Sequence, residues 1–244
     1  TPIQLQHTTQ LLSELLTFKQ PADTVVSHYF REHKKLGRQD RHEIAETAFA
    51  AIRHYQKIAS VLRRPHSQAK KAALAALVLG RSMNISQLSD LLDEEETAFL
   101  SQLKARKTEF SQSLHTAAEL PEWLIQQLRV HQTDEHILHF GRSIATPAPL
   151  DLRVNTLNNK RDKVLTLLQN EGLPVEATPY SPWGIRLRDK TAFHQHPLFL
   201  DGTLEVQDEG SQLLALLLHA KRGEIVVDFC AGAGGKTLAI GAMM

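Results

Sequence analysis

The sequence predicts an α+β protein of several parts: an all-helical front, a small α/β middle, and the first βα unit of a doubly wound sheet. Three observations predict it. Apolar residues recur at helical spacing from near the N-terminus to about residue 107. From residue 150 short apolar runs alternate with helical stretches, the texture of an α/β fold. Close to Met244, the run Val226-Val227-Asp228-Phe229-Cys230-Ala231-Gly232-Ala233-Gly234-Gly235-Lys236-Thr237 reads as a strand, a tight glycine turn and a helix start.

Residues 8–63 read as helices. Leu11, Leu12, Leu15 and Leu16 form one apolar stripe, and Ile44, Ala48, Ala51, Ile52 and Tyr55 form another. Asp40-Arg41-His42-Glu43 reads as a helix start, with Asp40 near the N-cap and an acid three residues later. The stretch from Ala72 to Leu79 is almost continuously apolar and stops at Gly80, which places it centrally in a bundle. A short helix follows over 84–92. Asp93-Glu94-Glu95-Glu96 then starts another, with acids in the first turn where the helix dipole favours them. Residues 108–120 are polar and aperiodic and read as a linker. Pro121 suits the first turn of a new helix, Trp123 is expected in a core, and Thr146-Pro147-Ala148-Pro149 marks a rigid turn.

The second half reads as strand 150–155, helix 160–171, strands 174–179 and 184–188, and a short helix near 191–195. Strand 203–206, helix 208–220, strand 224–229 and a helix from 235 follow. Gly172-Leu173-Pro174 stops one helix, and Tyr180-Ser181-Pro182-Trp183-Gly184 makes a hairpin-like turn.

The glycine turn carries the chemistry. Ile225, Val226 and Val227 suit a strand buried in a parallel sheet. A phosphate-binding Gly-x-x-x-x-Gly-Lys-Thr loop needs glycine at Cys230, and a dinucleotide Gly-x-Gly-x-x-Gly loop needs glycine at Thr237. An ordinary β-turn-α connection would use glycine for steric reasons alone. The spacing apolar-apolar-Asp-x-x-x-Gly-x-Gly fits without strain and resembles motif I of class I S-adenosylmethionine methyltransferases.

The fuller string Asp228-x-Cys230-Ala231-x-x-Gly234-Gly235-Lys236-Thr237 resembles the Sun (Fmu, RsmB-like) family of bacterial ribosomal RNA cytosine-C5 methyltransferases. That family usually has Ala-Pro where this chain has Gly232-Ala233. Three further segments resemble it in the same order: Pro121-Glu122-Trp123-Leu124, the Arg153-x-Asn155 strand within 150–157, and 202–213 around Val206-Gln207-Asp208. The resemblance implies a NusB-like helical RNA-binding domain at 1–107, a linker at 108–120 and an RNA-recognition-like subdomain at 121–201. It implies the start of a Rossmann-like methyltransferase domain at 202–244, left incomplete by the end of the chain at Met244.

The implied activity is methyl transfer from S-adenosyl-L-methionine to C5 of a cytosine in 16S ribosomal RNA. Asp228, Cys230, Ala231, Gly232, Ala233, Gly234, Gly235 and Lys236 would line the cofactor site, with the N–H groups of 234–236 facing its carboxylate. Cys230 sits inside the cofactor turn and so lines the site rather than serving as the nucleophile. The family's catalytic cysteines would lie beyond Met244, leaving these residues inactive alone. A non-catalytic NusB-like RNA-binding protein is the rival reading, to be told apart by whether S-adenosylmethionine binds. With its sheet neighbours missing, strand 224–229 is expected to self-associate, pack in a non-native way or order poorly.

Net charge is +1 over 244 residues, but its distribution is uneven. Residues 1–82 hold thirteen Lys/Arg against six Asp/Glu, residues 83–135 hold four against ten, and the remainder balances at eleven each. A basic first third suits an RNA-facing surface. Arg38, Arg41, Arg53, Arg63, Arg64, Arg153 and Asn155 are the RNA-binding candidates, although Arg41 and Arg53 suit ion pairs inside the bundle equally well. One cysteine excludes an internal disulfide and fits a cytoplasmic setting. No membrane span and no signal pattern is legible. Thirteen histidines invite a metal, but His194-x-His196 lacks completing ligands, so no metal is expected.

Overall fold

The computed structural model describes residues 1–188, 193 and 195–244. It divides into two compact units, Thr1–Pro147 and Ala148–Met244.

The first unit is helical. α1 (Pro2–Leu15) is capped by Thr1, whose hydroxyl accepts the Gln4 amide in a capping box. α2 (Ala22–Glu32) and α3 (Arg38–Arg53) follow. The α3 N-cap is Gly37; Asp40 lies within the first turn and accepts a hydrogen bond from the Gln4 side chain at 2.9 Å. Asp40 therefore ties α1 to α3 instead of capping a helix at its own position. After α4 (Tyr55–Val61) comes α5 (Ala69–Leu79), where Ala72, Ala73, Leu74, Ala75 and Ala76 are all fully buried. α1, α3 and α5 pack on one another around this small-residue helix. A 3₁₀ turn over Ile85–Leu91 leads to α6 (Glu94–Ala105), where Asp93 and Glu96 form a second capping box.

The stretch 108–120, expected as a linker, folds as helix. α7 (Lys107–Gln112) and α8 (Leu114–Ala118) bury Phe110, Thr116 and Ala118, with Leu120 just beyond. One or two turns are too short to show a hydrophobic period. α9 (Glu122–Leu128) and α10 (Asp134–Ile144) complete the unit through a small core of Ala118, Leu120, Ile125 and Ile137. Trp123 is 66% exposed rather than in that core, because Leu124, Ile125 and Leu128 supply the inward face of α9.

The second unit is built on an antiparallel sheet of β1 (Leu150–Val154), β2 (Val175–Ala177), β3 (Gly184–Leu187) and β4 (Leu204–Val206), in the order β2-β3-β1-β4. α11 (Arg161–Asn170) packs on the apolar face, where Leu152, Val154, Ile185, Leu187 and Leu204 meet Val164 and Leu168. A short α12 (Pro197–Leu200) precedes β4. The helix expected near 191–195 lies largely outside the described residues. α13 (Glu209–Leu218) contacts β1, and α14 (Gly235–Gly241) packs on α13.

The strand expected at 224–229 does not form. Ile225, Val227 and Phe229 are 95%, 82% and 97% exposed, and among the described residues no strand pairs with them. An apolar β-branched run becomes a strand only beside a neighbour that completes its hydrogen-bond ladder.

Candidate cofactor-binding site

The glycine turn is braced by one acid. Asp228 accepts the Cys230 amide at 3.2 Å through Oδ1 and the Thr237 hydroxyl at 2.8 Å through Oδ2. One carboxylate thus joins the start of the turn to the first turn of α14. Gly232 and Gly234 adopt φ of 55° and 84°, the left-handed region where a side chain is strained. Nothing lies within 4 Å of the place a Cβ would occupy on either, so the turn's outer side is open. The Gly234 N–H donates to the Ala231 carbonyl at 2.8 Å and is therefore not available to a ligand. Of the three N–H groups read as facing a cofactor, this leaves those of Gly235 and Lys236. The Cys230 thiol is exposed and reduced.

Behind the turn stands Gln207, which no motif in the sequence marks as a site residue. Its side chain is buried and lies 3.4 Å from the Cβ position of Gly235. The Arg153 Nε donates to Gln207 Oε1 at 2.6 Å, which fixes the orientation of the amide. Nε2 consequently sits on the Gly235 side, buried and without an acceptor among the described residues. Strand period was the available signal: Arg153 and Glu205 face each other across β1 and β4, and Gln207 shares their side.

This polar layer lies on the sheet face opposite α11. Arg153 also donates to Glu205. Arg186 forms a two-pronged pair with Asp151 at 2.7 and 2.8 Å, and Asp151 accepts the Glu209 amide at the start of α13 at 3.3 Å. Burial pushes the Glu209 carboxyl up. The N–H groups of Ser181 and Tyr180, the Thr178 hydroxyl and Arg186 outweigh that, and together hold it below the usual carboxylate range. Gln212 closes the layer, accepting from the Ser181 hydroxyl at 2.7 Å and donating to the Gln207 carbonyl at 2.8 Å.

The structure sorts the RNA-binding candidates. Arg153 is 2% exposed and engaged inside the layer, and Asn155 donates to the Gly202 carbonyl while accepting the Leu157 amide. Arg153 thus lies within the buried layer, and Asn155, half-buried just beyond β1, ties that end of the strand to the segment before β4. Arg41 donates to the carbonyls of Leu36, His33 and Lys34, and Arg53 lies 3.8 Å from Glu46. Arg38, Arg63 and Arg64 are exposed. Of the histidine pair, His194 lies outside the described residues. His196 caps α12 by accepting the Leu198 amide and bonds Glu171 at 2.9 Å. Among the described residues no group of three or more His, Cys, Asp or Glu is placed to hold a metal, and no helix is long and apolar enough to cross a membrane.

A family model described as the ferredoxin-like domain of RsmF/B-like methyltransferases matches residues 120–194. The ribosomal RNA small subunit methyltransferase B of Salmonella heidelberg (strain SL476) is 34% identical over 173 residues, 68% of this chain and 38% of that protein. Its namesake from Photorhabdus laumondii subsp. laumondii is 31% identical over 192 residues, 76% of this chain and 43% of that protein. The chain belongs to the Sun (RsmB-like) family.

The chain spans about two fifths of the length of these curated Sun-family relatives. The matched domain includes both the Pro121-to-Leu124 segment and the Arg153-x-Asn155 strand. The crystal structure of PH0851 shares the fold, with a TM-score of 0.67 at 20% identity over 100% of this chain and 61% of that one.

Proposed function

We propose that this Sun-family chain serves an S-adenosylmethionine-dependent methyltransferase acting on C5 of a cytosine in 16S ribosomal RNA. The observation that carries the reading is the Asp228-braced glycine turn running into α14. Its residues fit the cofactor. The turn's outer side is open at Gly232 and Gly234, while Gln207 offers a buried donor beneath Gly235 that has no acceptor among the described residues. When bound, S-adenosylmethionine supplies an electrophilic methyl group.

The chain's own residues bind and orient. Asp228 holds the turn's shape, and Cys230 through Lys236 would line the site for the methionine moiety. The N–H groups of Gly235 and Lys236 would hold its carboxylate, and the Lys236 ammonium would add a charge-assisted contact. Cys230 lines the site: its own amide is tied to Asp228, which fixes the backbone there as part of the turn.

Titrating radiolabelled S-adenosylmethionine against the full-length protein tests this. Saturable binding that Asp228→Ala abolishes is expected, and no binding at millimolar ligand would overturn the reading. A non-catalytic RNA-binding role is the second reading. It requires RNA affinity without any cofactor binding.

A further inference from the structure

The first unit contains a cleft of about 860 Å³ that no sequence motif announced. Leu79, Met83, Leu103 and Phe110 give it an apolar lining, and Lys57, Lys104, Lys107 and Arg142 stand among them. The single carboxylate in the lining is that of Glu119, and it is already engaged. It accepts from Lys57 Nζ at 2.8 Å, pairs with His54 Nδ1 at 3.0 Å and takes the amides of Gln56 and Lys57. Lys57 and Glu119 therefore cancel. Lys104, Lys107 and Arg142 remain, each without a hydrogen-bond or ion-pair partner among the described residues.

Local composition does not account for three free cations here. Residues 83–135 carry ten acids against four bases. Yet Glu95 and Glu96 are held by Lys71 and Lys70, Glu109 by Arg106, and Asp134 by Arg129. Folding ties these acids to cations outside the cleft and leaves positive charge beside an apolar lining.

The chemistry that matches is a chain with a negative charge at every repeat and a flat apolar face beside it. Single-stranded nucleic acid has both: phosphates for the cations and unstacked bases for the lining. A duplex hides its bases in the stack, and an acidic peptide has no aromatic face at each repeat. We propose that this cleft binds single-stranded RNA. The choice of RNA rests on the ribosomal RNA reading above, while the charge and shape of the site do not.

The test is fluorescence anisotropy of a labelled single-stranded RNA against the full-length protein, without cofactor, over a salt series. Replacing Lys104, Lys107 and Arg142 with alanine together is expected to weaken binding about a hundredfold at 0.1 M salt. It should lower the slope of log affinity on log salt by about 2, since each phosphate contact on a single strand contributes about 0.7. The charge-preserving set Lys104→Arg, Lys107→Arg and Arg142→Lys restores both. Ser111→Trp fills the cleft without changing a charge and should weaken binding while leaving the slope in place. Circular dichroism melting checks that each variant folds.

Unchanged affinity and slope in the alanine set overturns the proposal. So does equal or tighter binding of duplex RNA or of a polyglutamate peptide. Because no cofactor is present, failure to bind S-adenosylmethionine would sink the methyltransferase reading and leave this result untouched.

Discussion

Glu119 holds Lys57 twice, accepting its backbone amide at 3.3 Å and its ammonium at 2.8 Å. The same carboxylate takes the Gln56 amide at 3.1 Å, so a residue after α8 caps the N-terminus of α4. Glu119 is also a non-glycine residue at φ 54°. Glu119→Ala keeps that backbone strain and removes the acceptor from a buried pair, so it should destabilise the first unit by about 3 kcal/mol. Glu119→Gly relieves roughly 1 kcal/mol of strain and should cost correspondingly less. Urea unfolding of both variants measures this; equal midpoints for the two would refute the assigned strain.

Asp151 and Arg186 make the corresponding bond in the second unit. The carboxylate is almost fully buried, while the guanidinium keeps one edge in water. Arg186→Met leaves a buried acid with only the Glu209 amide to answer it, and should cost about 3 kcal/mol. In Asp151→Asn with Arg186→Met, most of that loss should return. A double-mutant cycle showing no coupling would mean that the pair does not carry the stability placed on it.

Glu209 gives this unit its acid sensitivity. Its carboxyl is held low in the folded state, so folding favours the charged form. That stability is fully present above the unfolded value of about 4.3 and is lost as pH falls through the lower folded value. Glu209→Gln should flatten the stability profile below about pH 4.5 and leave its shape unchanged near neutrality. Chemical unfolding from pH 2.5 to 7 reads this directly, and an unchanged acid slope in the variant would assign the sensitivity elsewhere.

Much of this was legible before any coordinates. Helical stripes such as Leu11, Leu12, Leu15 and Leu16 declared their faces because long amphipathic segments repeat often enough to show a period. The helix start at Asp93 was readable from the acids of its first turn, although its capping box with Glu96 was not singled out. What escaped was what depends on a distant neighbour. Helices α7 and α8 are too short to show a period, Glu119 acts across more than sixty residues, and the free cations of the cleft emerge only once their acidic neighbours are paired. The run 225–229 shows the opposite error: strand character in the sequence means little without a partner strand.

The turn should be strained by any side chain at Gly234. At φ 84° an alanine costs roughly 1–2 kcal/mol. Thr237→Val loosens the same turn from the other end by removing the hydroxyl that Asp228 accepts. Both variants are expected to speed hydrogen exchange at the amides of 230–237 while leaving α1, α3 and α5 protected. Exchange unchanged across the turn would show that Asp228 does not hold it.

Gln207 allows donor and acceptor roles to be separated in one side chain. Its Oε1 is needed by Arg153, whereas its Nε2 meets no acceptor among the described residues. A buried donor left unpaired costs about 1–3 kcal/mol, so the fold alone gives no reason to keep it. Gln207→Glu preserves an acceptor for Arg153, replaces the donor beneath Gly235 with an acceptor, and adds a charge that Arg153 pairs. If a cofactor seated on the turn completes that donor, the variant should bind S-adenosylmethionine about tenfold more weakly without losing thermal stability. In the parent protein the ¹⁵N side-chain signal of Gln207 should shift when the ligand is added. Gln207→Met removes both roles, and should lower stability and binding together. A Gln207→Glu protein that melts early but binds normally would make the residue a strut of the sheet and nothing more.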